Sequence, residues 1–256
     1  MLRTGKLFLR RKPIVLKRRR MFPLSGIQFD AASNSGFRAA LSTYGWSHTW
    51  NGSDRFIAVD VALMSVGATV TSITYNLKAL TLIPDAARTT VTAFGRVECW
   101  GASASQLDDL APGTYTITVT LSSSISSASC AVSYTGVHQT SPTEAGNSNQ
   151  GTNVGAADAT VDITSVADQC WIHAALTTND IDVTASQTAR NEVNDATGSG
   201  ADEDFGPQAP GLKTMGYTDV GAGAIWAIAG YAIRPATAAA IAAGNTGFIL
   251  LLGVGV

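Results

Sequence analysis

The clearest pattern in the chain is an alternation of apolar and hydroxyl side chains in residues 112–137. In residues 114–121, every second residue is apolar and each residue between is threonine. Side chains on a strand alternate between its two faces, so this run predicts a half-buried strand. Pro112-Gly113 supplies a turn before it. After a serine-rich break, residues 129–137 repeat the alternation and predict the second strand of an antiparallel pair.

The same two-residue period recurs along the chain, without a window that has the period of an amphipathic helix. Asn51-Gly52 accepts positive φ at both turn positions, so it predicts a hairpin. Residues 141–157 and 195–211 are predicted to be long loops. This pattern is typical of an all-β chain, and we expect an antiparallel β-sandwich of jelly-roll type. The predicted strands are residues 44–50, 55–64, 70–83, 89–100, 113–121, 129–137, 159–166, 170–177, 186–193, 213–220 and 222–234.

Basic residues are concentrated at the N-terminus. Residues 1–20 contain nine of the 17 Lys and Arg residues and no acid, whereas the rest of the chain has eight bases and all 19 acids, a net charge of −11. We expect an extended basic arm that binds an anionic partner. The bases interrupt every apolar run, which argues against a secretory signal. The partner-binding residues predicted in the arm are Arg3, Lys6, Arg10, Arg11, Lys12, Lys17, Arg18, Arg19 and Arg20.

The C-terminal residues 236–256 carry no charged side chain. Their apolar end predicts a strand buried on both faces, added to the chain's own sheet or to a neighbour's. The alternative is a membrane span of about 20 residues, but the alanine content and a polar break at residues 244–247 argue against it. The predicted tail contacts are Phe248, Ile249, Leu250, Leu251 and Leu252. The chain thus divides into a basic arm (1–26), a β-sandwich domain (27–235) and an apolar tail (236–256).

The residue types that carry catalysis or bind metals are scattered. The three cysteines lack a metal-binding spacing, so we expect buried free thiols and assembly in a reducing cytoplasm; one disulfide with a spare thiol is the alternative. The three histidines lack a zinc spacing, and a structural role is expected. These residues are Cys99, Cys130, Cys170, His48, His138 and His173. The sequence contains no nucleophile elbow, P-loop or dinucleotide fingerprint.

Two further groups of residues have a structural and a functional interpretation. Asp202-Glu203-Asp204 lies in a predicted loop and is interpreted as a solvated acidic segment; calcium binding is the alternative, although the spacing of a calcium motif is missing. The tryptophans fall mostly within predicted strands, so we expect them in the core, with an exposed sugar-stacking platform as the alternative. They are Trp46, Trp50, Trp100, Trp171 and Trp226.

Several of these segments together resemble a known module. They are residues 70–75 with 79–82, residues 97–100, 110–119 and 131–137 with 139–142, and residues 225–235. They are similar to a jelly-roll-like β-sandwich module of bacteriophage virion proteins and bacterial surface proteins, over roughly residues 37–235. The resemblance implies the fold and no catalytic residues. A basic arm on a jelly roll is similar to what many viral coat and head proteins carry.

Only 14% of the residues are charged, against about 25% in an ordinary soluble domain. Such a surface suits a protein that packs against others. We therefore expect a non-enzymatic phage virion protein, a capsid decoration (cement) or other head protein. It would form homo-oligomers, contact other virion proteins through its terminal segments, and assemble in the host cytoplasm. No cofactor, metal, small-molecule substrate or membrane is expected. The alternatives are a tail or surface adhesin that binds carbohydrate, and a coat protein whose arm binds the genome without sequence specificity.

Overall fold

The computed structural model describes residues 26–144, 146–152, 158–181, 183–195, 198–218 and 220–236. All nine basic residues of the predicted arm and all five apolar contacts of the predicted tail lie outside these residues. Within them, the chain forms fifteen β-strands and one short 3-10 helix, Ser105–Leu107, and every strand pair is antiparallel. The prediction of an all-β antiparallel fold is therefore confirmed. None of the described helical segments has the length and apolar character needed to cross a membrane.

The strands differ widely in length. In chain order they are β1 (Gln28–Trp50), β2 (Phe56–Leu63), β3 (Val70–Tyr75), β4 (Lys78–Ala79), β5 (Thr81–Thr89), β6 (Arg96–Ser103), β7 (Gly113–Thr135), β8 (Asn147–Thr152), β9 (Ala159–Ser165), β10 (Cys170–Thr178), β11 (Thr184–Ala185), β12 (Thr188–Asp195), β13 (Gly198–Gln208), β14 (Gly211–Thr218) and β15 (Ile225–Ile233). They form a seven-stranded sheet (β4-β3-β7-β2-β6-β5, with β1 also on β7), a five-stranded sheet (β12-β13-β10-β15-β8) and a three-stranded sheet (β11-β14-β9).

The seven-stranded sheet curls because its two longest strands, β1 and β7, bend together. Ser33 and His48 are fifteen residues apart, yet Ser33 Oγ and His48 Nδ1 lie within 2.8 Å. In a straight strand they would be roughly 50 Å apart, at about 3.3 Å per residue. The pairing of β1 with β7 has four register shifts, and Gly36 and Ala40 adopt positive φ values of 66° and 47°. Bulges of this kind bend and twist a strand pair, so they allow the sheet to curl around its own core.

Strands β2 and β10 are buried along their whole length because each separates two apolar layers. In β2, alternate residues such as Val59 and Val61 enter the core inside the curled sheet, and Phe56 and Ala58 face the five-stranded sheet. In β10, Trp171 and Ala175 face the seven-stranded sheet, and Ile172 and Ala174 face the three-stranded sheet. The described residues thus form three stacked sheets with the five-stranded sheet in the middle.

Three local predictions are wrong. Residues 113–121 and 129–137 do not form a hairpin pair, because β7 continues through the serine-rich segment. Its serines bond to the partner strand, for example Ser127 Oγ to Tyr44 Oη at 3.1 Å. Gly52 does occupy a turn, with φ of 73°, but β1 and β2 both pair with β7 and not with each other. The predicted loops 141–157 and 195–211 contain the strands β8 and β13.

The two larger sheets lie close together at Gly200 of β13. A Cβ atom at this position would lie 2.8 Å from the Cβ of Ala62 and 3.1 Å from the Cβ of Ala128. We expect Gly200→Val to push the sheets apart and lower the free energy of unfolding by about 1–3 kcal/mol, measured by urea denaturation. Gly67→Ala is the control, because a Cβ there meets no atom within 4 Å. Equal stability of the two variants would contradict this packing.

Candidate functional site

A pair of ionisable residues lies between the seven-stranded and five-stranded sheets. Asp60 is the only charged residue of β2, and His173 occupies the middle of β10. His173 Nε2 lies 2.6 Å from Asp60 Oδ2, and the exposed fractions of the two residues are 0% and 3%. Both strands place apolar residues on either side of these positions. The pair is therefore an ionisable contact between two mostly apolar strands.

Tyr134 of β7 extends the pair into a hydrogen-bonded chain. Its hydroxyl lies 3.0 Å from His173 Nδ1 and donates to Asp204 Oδ2, also at 3.0 Å. Because the hydroxyl has one proton and gives it to the carboxylate, His173 Nδ1–H must be the donor to the tyrosine oxygen. An ionised Asp60 can only accept, so it needs a proton on His173 Nε2 as well. With Asp60 and Asp204 both ionised, these hydrogen bonds make His173 a cation.

The electrostatic environment agrees with this protonation state. Burial by itself lowers the pKa of His173, but the carboxylates of Asp60, Asp202 and Asp204 outweigh burial and raise the pKa to about 9. Nearby negative charge favours the charged imidazolium. His173 therefore carries its positive charge at neutral pH.

Arg190 of β12 closes the chain at the edge of the five-stranded sheet. Its Nε and Nη2 atoms donate to the two oxygens of Asp204 at 2.7 and 2.8 Å. Its guanidinium carbon also lies 4.0 Å from the ring centre of Phe29 on β1. This bidentate ion pair fixes the orientation of the guanidinium, and the Phe29 ring adds a cation–π contact. Arg190 thus connects the buried carboxylate to the curled strand β1.

Asp202 and Glu203 point to opposite faces of β13. Asp202 faces the Asp60–His173 pair, and Asn191 Nδ2 donates to both of its oxygens at 3.1 Å. Burial and the carboxylate of Asp60 raise the pKa of Asp202 to about 7, against the opposite effects of His173 and Asn191. Burial also raises the pKa of Glu203 to about 7. Its oxygens accept backbone N–H bonds, including one from Gly216 of the three-stranded sheet at 2.6 Å.

Two thiols flank Asp60 within the seven-stranded sheet. Cys99 of β6 and Cys130 of β7 are its direct neighbours on the two adjacent strands. Both are buried and free, as is Cys170, which confirms the prediction of buried free thiols. Burial raises the pKa of Cys99 and of Cys130, and the nearby carboxylates raise both further. Neither thiol is therefore a nucleophile at neutral pH.

We define the buried ionic cluster as Asp60, Tyr134, His173, Arg190, Asp202 and Asp204. The void beside it has no room for a water molecule. Since His173 and the three aspartates are almost completely buried, their charges act on one another and not on a molecule in solvent. The arrangement joins two sheets, and its mixed nitrogen and oxygen donors are also of the kind that binds a metal ion.

The predicted functional residues fall in different places. The basic residues of the arm and the apolar residues of the tail lie outside the described residues. The interpretation of Asp202-Glu203-Asp204 as a solvated loop is wrong, because all three are buried in β13. Trp50, Trp171 and Trp226 are buried and the other two tryptophans are half-buried, which confirms the core interpretation.

Sequence reasoning missed Asp60 and the role of its partner His173. The available signal was one ionisable residue in the middle of each of two apolar strands, because a charge in such a position needs a partner. Comparison of the chain with protein-family models, with curated proteins and with solved structures gave no match. The fold and the cluster must therefore be interpreted from their own geometry.

We expect Asp60→Asn to lower the free energy of unfolding by about 3–5 kcal/mol, because it removes the carboxylate that is hydrogen-bonded to the buried His173 cation. Denaturant unfolding monitored by tryptophan fluorescence measures this. Asp108→Asn is the control, since Asp108 forms an exposed bridge to Lys78 whose side chains are 76% and 44% exposed. That change should cost less than about 1 kcal/mol. A similar loss in both variants would contradict the role of the buried pair.

The cluster also predicts that stability falls as the pH rises. The folded-state pKa of His173 is about 9 against an ordinary 6.5, so its contribution is complete below pH 6.5 and lost towards pH 9. Asp202 and Glu203 have raised pKa values of about 7, so the folded state binds their protons more tightly than the unfolded state does. The stability that this tighter proton binding adds is complete below about pH 4 and is lost as the pH rises to 7. Each group changes the unfolding free energy by at most about 1.4 kcal/mol per pH unit.

Urea titrations at pH 5, 7 and 9 measure this dependence. Glu203→Gln is the control, because it should remove part of the change between pH 5 and 7 and keep the change between pH 7 and 9. Stability that stays constant or increases from pH 7 to 9 would contradict the assignment of a charged His173.

Proposed function

We propose that this chain is a non-enzymatic structural protein of a phage particle. It would be a capsid decoration or other head protein, with a jelly-roll-like body that assembles through its terminal segments. The observation that carries the proposal is the separation of charge. Nine bases and no acid occupy residues 1–20, whereas the rest of the chain has a net charge of −11. The arm of one copy is therefore complementary to the body of the next.

Electrostatic complementarity of this kind steers association and fixes orientation more than it adds affinity. An assembly that depends on it weakens as salt screens exposed charges, with a Debye length of about 8 Å at physiological ionic strength. The apolar tail would add salt-independent contact by burying apolar area, at roughly 25 cal/mol per Å². The arm would thus make a contact that salt weakens, and the tail would make a contact that salt does not weaken.

The body offers an uncharged face that suits such packing. On three neighbouring strands, β1, β7 and β3, residues directly opposite one another on the outer face are threonine, serine or glycine. Thr49 and Thr114 bond across it, with hydroxyl oxygens 2.6 Å apart. Covering this hydroxyl face with a neighbour desolvates no charge. Its members are Thr43, Gly45, Ser47, Thr49, Ser72, Thr74, Thr114, Thr116, Thr118 and Thr120.

The buried ionic cluster supports a structural function in a second way. Its charged groups bond to one another between the sheets. The described tryptophans also pack in the core instead of forming an exposed stacking surface for sugars. The proposal therefore favours a scaffold over a carbohydrate-binding module. Binding of the arm to nucleic acid in place of protein is distinguished by the experiment below.

We expect the full-length protein to form assemblies that dissociate as salt is raised from 50 mM to 500 mM. Removing five of the nine positive charges of the arm should abolish these assemblies. The arm variant changes Arg10, Arg11, Arg18, Arg19 and Arg20 to Gln. The matched control removes the same number of charges from the body, at Lys78, Arg88, Arg96, Lys213 and Arg234. Analytical ultracentrifugation across the salt series measures the mass of each protein.

The arm variant should remain a small, salt-indifferent species, and the body control should still assemble. If wild type and both variants are the same monomer at every salt concentration, assembly through the arm is wrong. If wild type assembles only when a mixed-sequence oligonucleotide is added, the arm binds phosphates and the genome-facing alternative replaces the proposal.

A further inference from the structure

We propose that Asp60, His173 and Asp202 form a binding site for one divalent transition-metal ion, with Zn²⁺ the best fit, between the seven-stranded and five-stranded sheets. The three side chains come from β2, β10 and β13, and one ligand atom from each lies within 4.8 Å of the others. All three residues are buried. The inference concerns the interior of the body and does not depend on the proposed function.

A second observation at the same place points to a ligand. Asp60 Oδ2 is bonded to His173, but Asp60 Oδ1 is buried and has no hydrogen-bond partner in the described part of the chain. Leaving a buried acceptor unsatisfied costs about 1–3 kcal/mol, and more when the acceptor is charged. Asp60 also lines the void between the sheets, which has no room for water. A cation bound to the carboxylate would satisfy this oxygen.

The donor types select among metals. One imidazole nitrogen and two carboxylates form a mixed nitrogen and oxygen set, and the thiols of Cys99 and Cys130 flank Asp60 on the adjacent strands. Calcium and magnesium prefer shells made entirely of oxygen. Zinc is bound by imidazole, carboxylate and thiolate, usually with four ligands in structural sites. The set therefore favours zinc, and a cysteine on a neighbouring strand is the candidate for a fourth ligand.

The residues around the three ligands already orient them. The Tyr134 hydroxyl lies 3.0 Å from His173 Nδ1, and Asn191 Nδ2 lies 3.1 Å from both oxygens of Asp202. Hydrogen bonds to the outer atoms of metal ligands determine the ring tautomer and the carboxylate orientation in metal sites. With Nδ1–H donated to Tyr134, the Nε2 atom of a neutral His173 faces Asp60 and is the atom that would coordinate.

Zinc coordination requires the ligand atoms, which lie within 4.8 Å of one another, to rearrange locally. Zinc bonds of about 2.0–2.2 Å place tetrahedral ligand atoms roughly 3.4 Å apart. His173 Nε2 and Asp60 Oδ2 are 2.6 Å apart, so the two atoms must separate by somewhat less than about 1 Å. Because the site is sealed, the ion should enter while the chain folds and not by diffusion into the folded protein.

The experiment unfolds the full-length protein in denaturant with a chelator, removes the chelator, and refolds the chain with ZnCl₂ or without metal. After gel filtration, elemental analysis gives the zinc content and calorimetry gives the Tm. We expect one zinc per chain, retained through gel filtration, and a higher Tm than that of the metal-free protein. Asp202→Asn should retain at least tenfold less zinc. Glu203→Gln, the adjacent buried carboxylate that faces away, should retain the wild-type amount.

Refolding the wild-type protein with Co²⁺ gives a second measurement that needs no variant. Visible absorption of a tetrahedral ion should appear, and a thiolate charge-transfer band would identify a cysteine as the fourth ligand. The proposal is wrong if refolded wild type holds less than a tenth of an equivalent of zinc. It is also wrong if Asp202→Asn binds as much zinc as wild type, or if bound Co²⁺ has the spectrum of the hydrated ion.

Discussion

The structure depends on compensating a carboxylate that is buried in the middle of an apolar strand. Asp60 lies in β2, the strand with apolar layers on both sides, and His173 lies at the matching position of β10. Removing either charge from water is expensive, so the two strands are stable only when these positions meet. This requirement favours the alignment of the seven-stranded and five-stranded sheets in which the two positions meet.

The rest of the architecture is arranged around this layer. The curl of β1 and β7 gives the seven-stranded sheet its own core, so β2 is covered on the inside while it faces β10 on the outside. Strand β13 brings Asp202 and Asp204 to the same layer and directs Glu203 to the three-stranded sheet. Arg190 connects the cluster to β1. The polar groups thus link three sheets, while the apolar layers supply most of the buried area.

Under the proposed function, the interior and the terminal segments have separate tasks. The buried cluster, with a metal ion where one is bound, would keep the body rigid. The basic arm, the apolar tail and the uncharged hydroxyl face would make the contacts with neighbouring proteins. A rigid body lowers the entropy lost on assembly, because fewer groups must be ordered at the interface. The low charge content of the chain is consistent with both tasks, since most of its surface can then be covered at little cost in desolvation.

Alternation in the sequence determined the fold class and the best strands. The patterns of β2, β7 and β10 identify them as strands. The odd number of cysteines and the lack of a metal-binding spacing predicted free thiols, as the structure has them. Only the tertiary structure decided that β7 is continuous, that the Gly- and Asp-rich residues 198–208 form a buried strand, and that Asp60 meets His173. These outcomes depend on pairing between residues far apart in the chain, 113 positions in the case of Asp60 and His173. Local propensity disfavours Gly, Asp and Pro in strands, and burial between two sheets overrides it.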